Sequence, residues 1–405
     1  MAHKGFLSLI LIASLAACSD GGGTTDAGTA ALLGGMYTPS SSVSTQAAQA
    51  AALADAREDA EASAWDQVTT LIAPGTPAGT LLSQMDAEFT GDAAGTSPLS
   101  LRGMLTAAIE RGRAAPMDMI VQKASQETVE KTLLNAQHLA VVVEVRAALA
   151  AAEAGNWGEA RQRWDRAAVF FNGLAAKYQT RADTQVMGVW GPGNNSLSDE
   201  NLSQRMTALL TNGARLLDAR ARDNFADTAA QAEVYGNKYF FLSALNYGHV
   251  YETRAASMMD LEYPRAEGRA FFEGVAVLWG ARSTDTAMQS ALMSARARWE
   301  RGAMSGPTRV SVLNDCGRIY ALAVGAWVSR YPAATDRERA AIFGRTRGVI
   351  DVLDEALAYA RQDVTALRAK VTQAAARAAM NDHAGAAALL TEVQTAVNAI
   401  TTAGM

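Results

Sequence analysis

Cysteine is almost missing from this chain, which has Cys18 and Cys316 among 405 residues. If Cys18 is chemically modified, as its context implies below, no intramolecular disulfide is available and stability has to come from core burial. A body spanning 46–405 is long enough to bury such a core. Proline is scarce as well, with nine residues that fall mostly at breaks: Pro74, Pro77, Pro116, Pro192, Pro264, Pro307 and Pro332. Strand signals are nearly absent. The net charge of −5 is spread without long runs, so neither nucleic acid nor an anionic surface is an expected partner. There is no Gly-x-Ser-x-Gly elbow, no His-Glu-x-x-His and no Walker A loop, which removes the common sequence signatures of hydrolases and nucleotidases. Beyond the N-terminus no run of 18 apolar residues occurs, so nothing else is expected to span a membrane.

What is present begins at the N-terminus. Lys4 supplies a positive start, Phe6 to Ala13 an apolar stretch too short to cross a bilayer, and Leu15-Ala16-Ala17-Cys18 its end. Leu-Ala-Ala-Cys resembles the bacterial lipobox, which implies a signal peptide over 1–17 and lipidation of Cys18. Ser19 follows, with Asp only at position 20; that resemblance implies the outer membrane, facing the periplasm or exterior. Residues 18–45 are rich in Gly, Ser and Thr (GGGTTDAGTA, then TPSSSVST) and are expected to form a flexible tether.

The rest is expected to be all-α. Apolar residues recur at helical spacing over 47–72, 99–113, 117–154, 158–178, 200–222, 228–260, 265–300, 309–330, 336–361 and 363–400. Gly155-Asn156 marks a stop and Asp336 a start. Two irregular segments, 181–198 and 301–308, lie between the helices; the first carries Trp190-Gly191-Pro192-Gly193 and is either a functional loop or a packed connection.

One block occurs twice. Residues 144–173 (EVRAALAAAEAGNWGEARQRWDRAAVFFNG) align without a gap onto 252–281 (ETRAASMMDLEYPRAEGRAFFEGVAVLWGA), an offset of 108 from 144 to 252. Glu144/Glu252, Arg146/Arg254, Glu159/Glu267 and Arg161/Arg269 match, and Asp165 faces Glu273. The copies extend over about 126–180 and 234–285, with a looser third over 312–360, where Glu338 and Phe343 align with Glu267 and Phe272. The expected architecture is a bundle of duplicated antiparallel helical hairpins.

Hairpin geometry turns the repeat into a candidate site. Glu144 and Asp165 average to 154.5, at the Gly155 turn, and Glu252 and Glu273 to 262.5, at the Tyr263-Pro264 turn. Each hairpin is therefore expected to hold two carboxylates at one height, and an approximate two-fold would bring four together. His249 lies three residues before Glu252, on the same helical face. Carboxylates with a His at that spacing are similar to the ligand sets of iron-binding bundles, and the imidazole points to a transition metal such as iron or manganese rather than calcium. The alternative is a salt-bridge ladder, since Arg146 and Glu159, and Arg254 and Glu267, are also nearly level. Other residues read as structure: His138, Asn246 in the same repeat column, His383 in a turn, Cys316 as a small buried hydrophobe, and Trp164, Phe170, Phe171, Phe271, Phe272 and Trp279 as core.

WDRAAVFFNG (Trp164 to Gly173) and the looser FEGVAVLWGA (Phe272 to Ala281) carry the pattern aromatic-Asp/Glu-x-x-Ala-x-x-aromatic-x-Gly. This resembles a recurring segment of the algal iron-assimilation proteins, and the resemblance implies a helical iron-handling protein that uses Asp165, Glu273, Glu144 and Glu252. The second copy departs from it at Gly274, Val275 and Ala281. Gly248-His249-Val250-Tyr251-Glu252 is similar to the Gly-x-His-x-x-Glu of imelysin-like bacterial surface proteins, with the glycine one residue too close. The expected function is metal capture, most of all of iron, by a lipid-anchored binding protein rather than an enzyme. The alternatives are a helical scaffold docking another envelope protein, or a peptidase using His249 and Glu252. The N-terminal reading predicts that Cys18→Ser abolishes incorporation of labelled fatty acid and releases the chain from the membrane fraction; unchanged membrane retention of an unlabelled chain would refute it.

Overall fold

The structure, a computed structural model, describes residues 30–183, 201–257, 260–280, 283–301 and 305–403. The expected leader and Cys18 lie outside these residues, as do residues 184–198 of the irregular segment expected over 181–198; residues 181–183 of that segment are helical. Among the described residues the protein is all-α; an isolated bridge between Leu32 and Tyr37 is the extended pairing they contain. In chain order the helices are α1 (Ser44–Glu61), α2 (Trp65–Leu71), α3 (Pro77–Phe89), α4 (Leu101–Ala114), α5 (Met119–Glu153), α6 (Trp157–Asn172), α7 (Ala175–Asp183), α8 (Leu202–Asp218) and α9 (Arg222–Tyr235). They continue as α10 (Lys238–Ala256), α11 (Glu262–Gly280), α12 (Thr286–Trp299), α13 (Arg309–Arg330), α14 (Asp336–Val352), α15 (Asp354–Tyr359), α16 (Val364–Ala379) and α17 (His383–Asn398).

The bundle is organised around α5, which starts on Asp118, whose carboxylate accepts from the amides of Ile120 and Val121, and stops before Gly155 at φ +83°. Every residue of α5 from 129 to 142 is buried, because α1, α3, α4, α6, α9 and α11 pack around it. By length and composition α5 could also cross a bilayer, although the sequence reading expected no such segment after the leader. Here its apolar circumference meets protein instead, as expected of a core helix. Gln137 ties it to two neighbours, donating to the Phe170 carbonyl at 2.9 Å and accepting from Arg57 at 3.1 Å.

Helix boundaries differ from the periodicity reading where stops lack glycine or proline. Ser63, Arg220, Arg361 and Asn381 take left-handed backbone conformations (φ +52° to +62°) and end α1, α8, α15 and α16. Most L-residues rarely adopt that region, so composition does not mark the first three stops, whereas asparagine tolerates it and Asn381 opens the turn expected before His383. The long helix expected over 228–260 breaks at Gly236-Asn237, and that over 265–300 divides into α11 and α12. Helix α3 falls where prolines suggested a loop: Thr76 caps it through the Gly79 amide and Pro77 occupies its first position. By contrast α13 matches its expected span and α14 its expected start, opened by a capping box between Thr335 and Glu338, although the span expected over 336–361 divides into α14 and α15.

Two further differences bear on the site. Pro264 lies inside the first turn of α11, where proline is tolerated. Helix α10 ends at Ala256 and α11 begins at Glu262, so the second hairpin reverses before the Tyr263-Pro264 position inferred from the ungapped repeat. In addition, residues 32–43, read as tether, are packed on the body. Leu33, Tyr37 and Val43 are buried, and the Leu33 amide donates to Asn172 at 2.8 Å. A loop over Leu33–Gly35 with three positive φ angles makes this return possible, and two of its residues are glycine.

Helices α9 and α14 pack closely through small residues. A Cβ on Gly344 would lie 2.3 Å from the Asp227 carbonyl oxygen, and one on Gly348 2.8 Å from Val234 Cβ. Gly344→Ala should therefore force these helices apart and destabilise the protein by about 1–3 kcal/mol, read as a lower urea midpoint; an unchanged midpoint would show that the contact yields freely.

Candidate functional site

The matched charges of the repeat do not meet at one place. Asp165, on α6, is fully buried and held by the returning N-terminal segment: Tyr37 Oη donates to Oδ1 at 2.8 Å, and the Ser40 amide, Ser40 Oγ and Ser41 Oγ donate to Oδ2 at 2.9, 2.9 and 3.1 Å. Arg161, one turn earlier, completes its shell. Burial and the adjacent Asp165 charge push the Tyr37 phenol well above its ordinary range, so Tyr37 serves as a neutral donor. Glu144 faces Arg163 instead, at 3.4 Å. Burial raises its carboxyl, and Arg163 and Arg166 only partly offset that.

The second copy uses different partners for the same residue types. Glu273 is buried and takes a bidentate clamp from Arg296 of α12, with Nε at 2.8 Å from Oε1 and Nη2 at 2.7 Å from Oε2. Glu252 is exposed and accepts from the Arg309 amide at 3.2 Å, at the start of α13. His249 is half-buried on α10. Among the described residues, no group of three or more His, Cys, Asp or Glu side chains is placed to hold a metal ion. The expected convergence of Glu144, Asp165, Glu252, Glu273 and His249 is thus not observed. An approximate two-fold would pair α6 with α10 as it pairs α5 with α11, but the extensive packing is between α5 and α11, and between α10 and α11 within the second hairpin. The shifted second turn separates the levels further.

The expected ladder pairs are replaced as well. Arg146 joins Glu233 of α9 at 2.8 Å, and Arg345 of α14 reaches the same carboxylate at 3.0 Å. Burial raises Glu233, but the two guanidinium charges outweigh it and hold the carboxyl below its usual range. Arg269 pairs with Glu300 at 3.0 Å, Arg254 lies over the Tyr263 ring, and Glu159 faces Arg163 at 3.6 Å.

The densest buried charge cluster was missed by the sequence reading. Lys131, on α5, reaches Glu127 at 2.8 Å, Glu130 at 2.5 Å and Glu267 of α11 at 3.4 Å, and lies 5.5 Å from the Phe271 ring centre. Lys177 of α7 adds a second cation to Glu130 at 2.8 Å. Burial raises Glu130, but Lys131 and Lys177 overcome it and bring its carboxyl to about 2. Burial would lower Lys131, and its three carboxylates reverse that. Glu267, by contrast, stays raised by burial and by Glu127 in spite of Lys131 and the Tyr247 and Tyr263 hydroxyls. A lysine thus occupies the centre of a three-carboxylate cluster. The available signal was the alternation Glu127, Glu130, Lys131 within an apolar helix, which periodicity alone does not distinguish from a surface stripe.

The remaining candidates behave as core. Trp164 is buried and donates to the Leu210 carbonyl at 2.7 Å, and Phe170, Phe171, Phe271 and Phe272 are buried with it. Cys316 is buried and its thiol pushed upward by desolvation, away from nucleophilic use. His383 opens α17, with Nε2 3.2 Å from Arg339. His138 is buried against Phe240, ring centres 5.1 Å apart, with Nδ1 3.5 Å from the Tyr178 hydroxyl. Against known proteins, the chain matches no family model, no curated protein and no solved structure. The two resemblances to iron-linked families therefore rest on the short segments that carry them.

Burial lowers the His138 imidazole from 6.5 to about 3. The unfolded ring binds a proton below pH 6.5 and the folded ring only near 3, so stability is lost as the pH falls through that window. The slope approaches about 1.4 kcal/mol per pH unit. Denaturant titrations between pH 6.5 and 5 should show it in the parent protein and lose it in His138→Phe; equal slopes would mean that the folded ring also protonates.

Proposed function

We propose that the protein is a lipid-anchored helical scaffold of the bacterial cell envelope that acts by binding a protein partner rather than by catalysis, with the repeated charges bracing its fold. One observation carries this reading: the carboxylates that the repeat singles out as ligands are already occupied by donors of the chain itself. Asp165 accepts from Tyr37, Ser40 and Ser41 and pairs with Arg161, and Glu273 is clamped by Arg296. Capture of a cation would have to displace those guanidinium groups, and would leave Arg296 partly buried without the carboxylate that clamps it. A peptidase reading would need a water-activating set around His249 and Glu252, and Glu252 is engaged at the start of α13. For docking, the corner between α4 and α5 presents Met117 and Met119, 93% and 85% exposed, beside Ile120. Flexible thioether side chains suit adaptable protein contacts.

Elemental analysis of the full chain extracted in mild detergent should find no stoichiometric iron or manganese, while Glu273→Gln costs about 3 kcal/mol of stability by breaking a buried pair. Bound metal that disappears in Asp165→Asn and Glu273→Gln would restore metal handling as the function. In intact cells, a photo-crosslinking residue at Met117 or Met119 should give a discrete adduct, and one at Met380, also exposed, should not. No adduct from either methionine of the corner would count against docking there.

A further inference from the structure

The N-terminal segment that returns to the body also fixes where the chain before it leaves. Its hydrogen bonds follow α6 in order: the Leu33 amide reaches Asn172, at the end of that helix, while Ser40 and Ser41 reach Asp165, about two turns closer to its start. The segment thus advances toward the Gly155 turn. Helix α1, which it enters at Ser44, begins near the same end. Arg57 of α1 meets Gln137 of α5, and farther on the Glu61 carbonyl and Ser63 meet Gln126, so α1 runs antiparallel to α5.

The direction of the preceding residues follows from a single bridge. Leu32 and Tyr37 exchange both backbone hydrogen bonds, at 2.7 and 3.2 Å, across the Leu33–Gly35 loop. The two sides of an antiparallel bridge run in opposite directions. Ala31 therefore leaves it on the side of Thr38, heading back toward the Gly155 turn, and Ala30 and Ala31 are exposed there.

Met117, Met119 and Ile120 lie at the other end of α5. That helix has 35 residues, so about 52 Å separate its ends. Between Cys18 and Ala30 stand residues 19–29, rich in Gly and Thr. For that composition the expected average span is about 20 Å and the fully extended one about 40 Å. A leash of this reach keeps the Gly155 end near the bilayer and the methionine corner beyond it. The body has no compensating attraction to an anionic surface, since its net charge of −5 is spread without long runs.

We propose that the docking corner points away from the anchoring membrane, and that its partner is the extramembranous part of a protein bearing an apolar patch, not lipid or a surface flush with the bilayer. This rests on the lipid-anchored scaffold reading and gives it a direction. The Gly155 turn lies close to the bilayer, and Met117, Met119 and Ile120 meet their partner about one length of α5 farther out.

Energy transfer from the lipidated full chain to a headgroup-linked acceptor, in vesicles of phosphatidylethanolamine and phosphatidylglycerol, tests this. Single donor dyes go on Asn156→Cys, beside the Gly155 turn, and on Met119→Cys, at the corner; both positions are exposed, and Cys316 is buried and stays unlabelled. Transfer from position 156 should exceed that from 119 by about threefold or more, as the separation of the two ends requires. Removing the side-chain donors to Asp165 (Tyr37→Phe, Ser40→Ala and Ser41→Ala together) should lower transfer from 156 with the helical signal intact, because the leash then runs on to Ser44. A segment that only stabilised the fold would leave that transfer unmoved. Equal transfer from the two positions, stronger transfer from 119, or an unmoved signal in the triple variant would each overturn the proposal and leave the anchor standing. A chain that fails to float with the vesicles would instead remove the anchor, and with it both readings.

Discussion

Carrying charge into a helix that is covered on all sides imposes a strict condition, and α5 meets it. Glu127, Glu130 and Lys131 lie on its buried length, where leaving water costs each ion several kcal/mol unless a partner stands ready. Part of the pairing is internal, Lys131 with Glu127 and Glu130, and part comes from other helices: Glu267 from α11 and Lys177 from α7. Glu233, buried on α9, makes the same demand and is met by Arg146 of α5 and Arg345 of α14. These pairs set which helices lie beside α5 and in what register, because a slip of one turn would strand a buried charge. The apolar contacts around them are plentiful but far less selective about position.

The same rule explains why matched residues of the repeat have unlike fates. Arg161 reaches Asp165 four residues later, whereas its counterpart Arg269 pairs with Glu300, and the counterpart carboxylate Glu273 takes Arg296. Helix α12 lies against α11 and supplies both new partners. The returning N-terminal segment supplies Tyr37, Ser40 and Ser41 to Asp165. A charge preserved in sequence thus keeps its need for a partner, while its surroundings decide which partner it finds.

Much of the helical character was legible in the residues themselves. Helical periodicity, the scarcity of proline and the Gly155 stop determined an all-α chain, and α13 and the start of α14 could be placed from their flanking signals, because local hydrogen bonds and side-chain spacing act within a few residues. The aromatic core positions were legible for the same reason. The stops at Ser63, Arg220 and Arg361 were not, since nothing in those residue types calls for the left-handed backbone they adopt. Nor were the site relations. An ungapped alignment placed the second turn at Tyr263-Pro264, but α11 begins at Glu262 and accommodates Pro264 in its first turn. Whether Asp165 and Glu273 face a common centre or separate arginines depends on which helices pack together. Tertiary structure alone decided that, because a buried carboxylate takes the nearest cation that three-dimensional packing supplies.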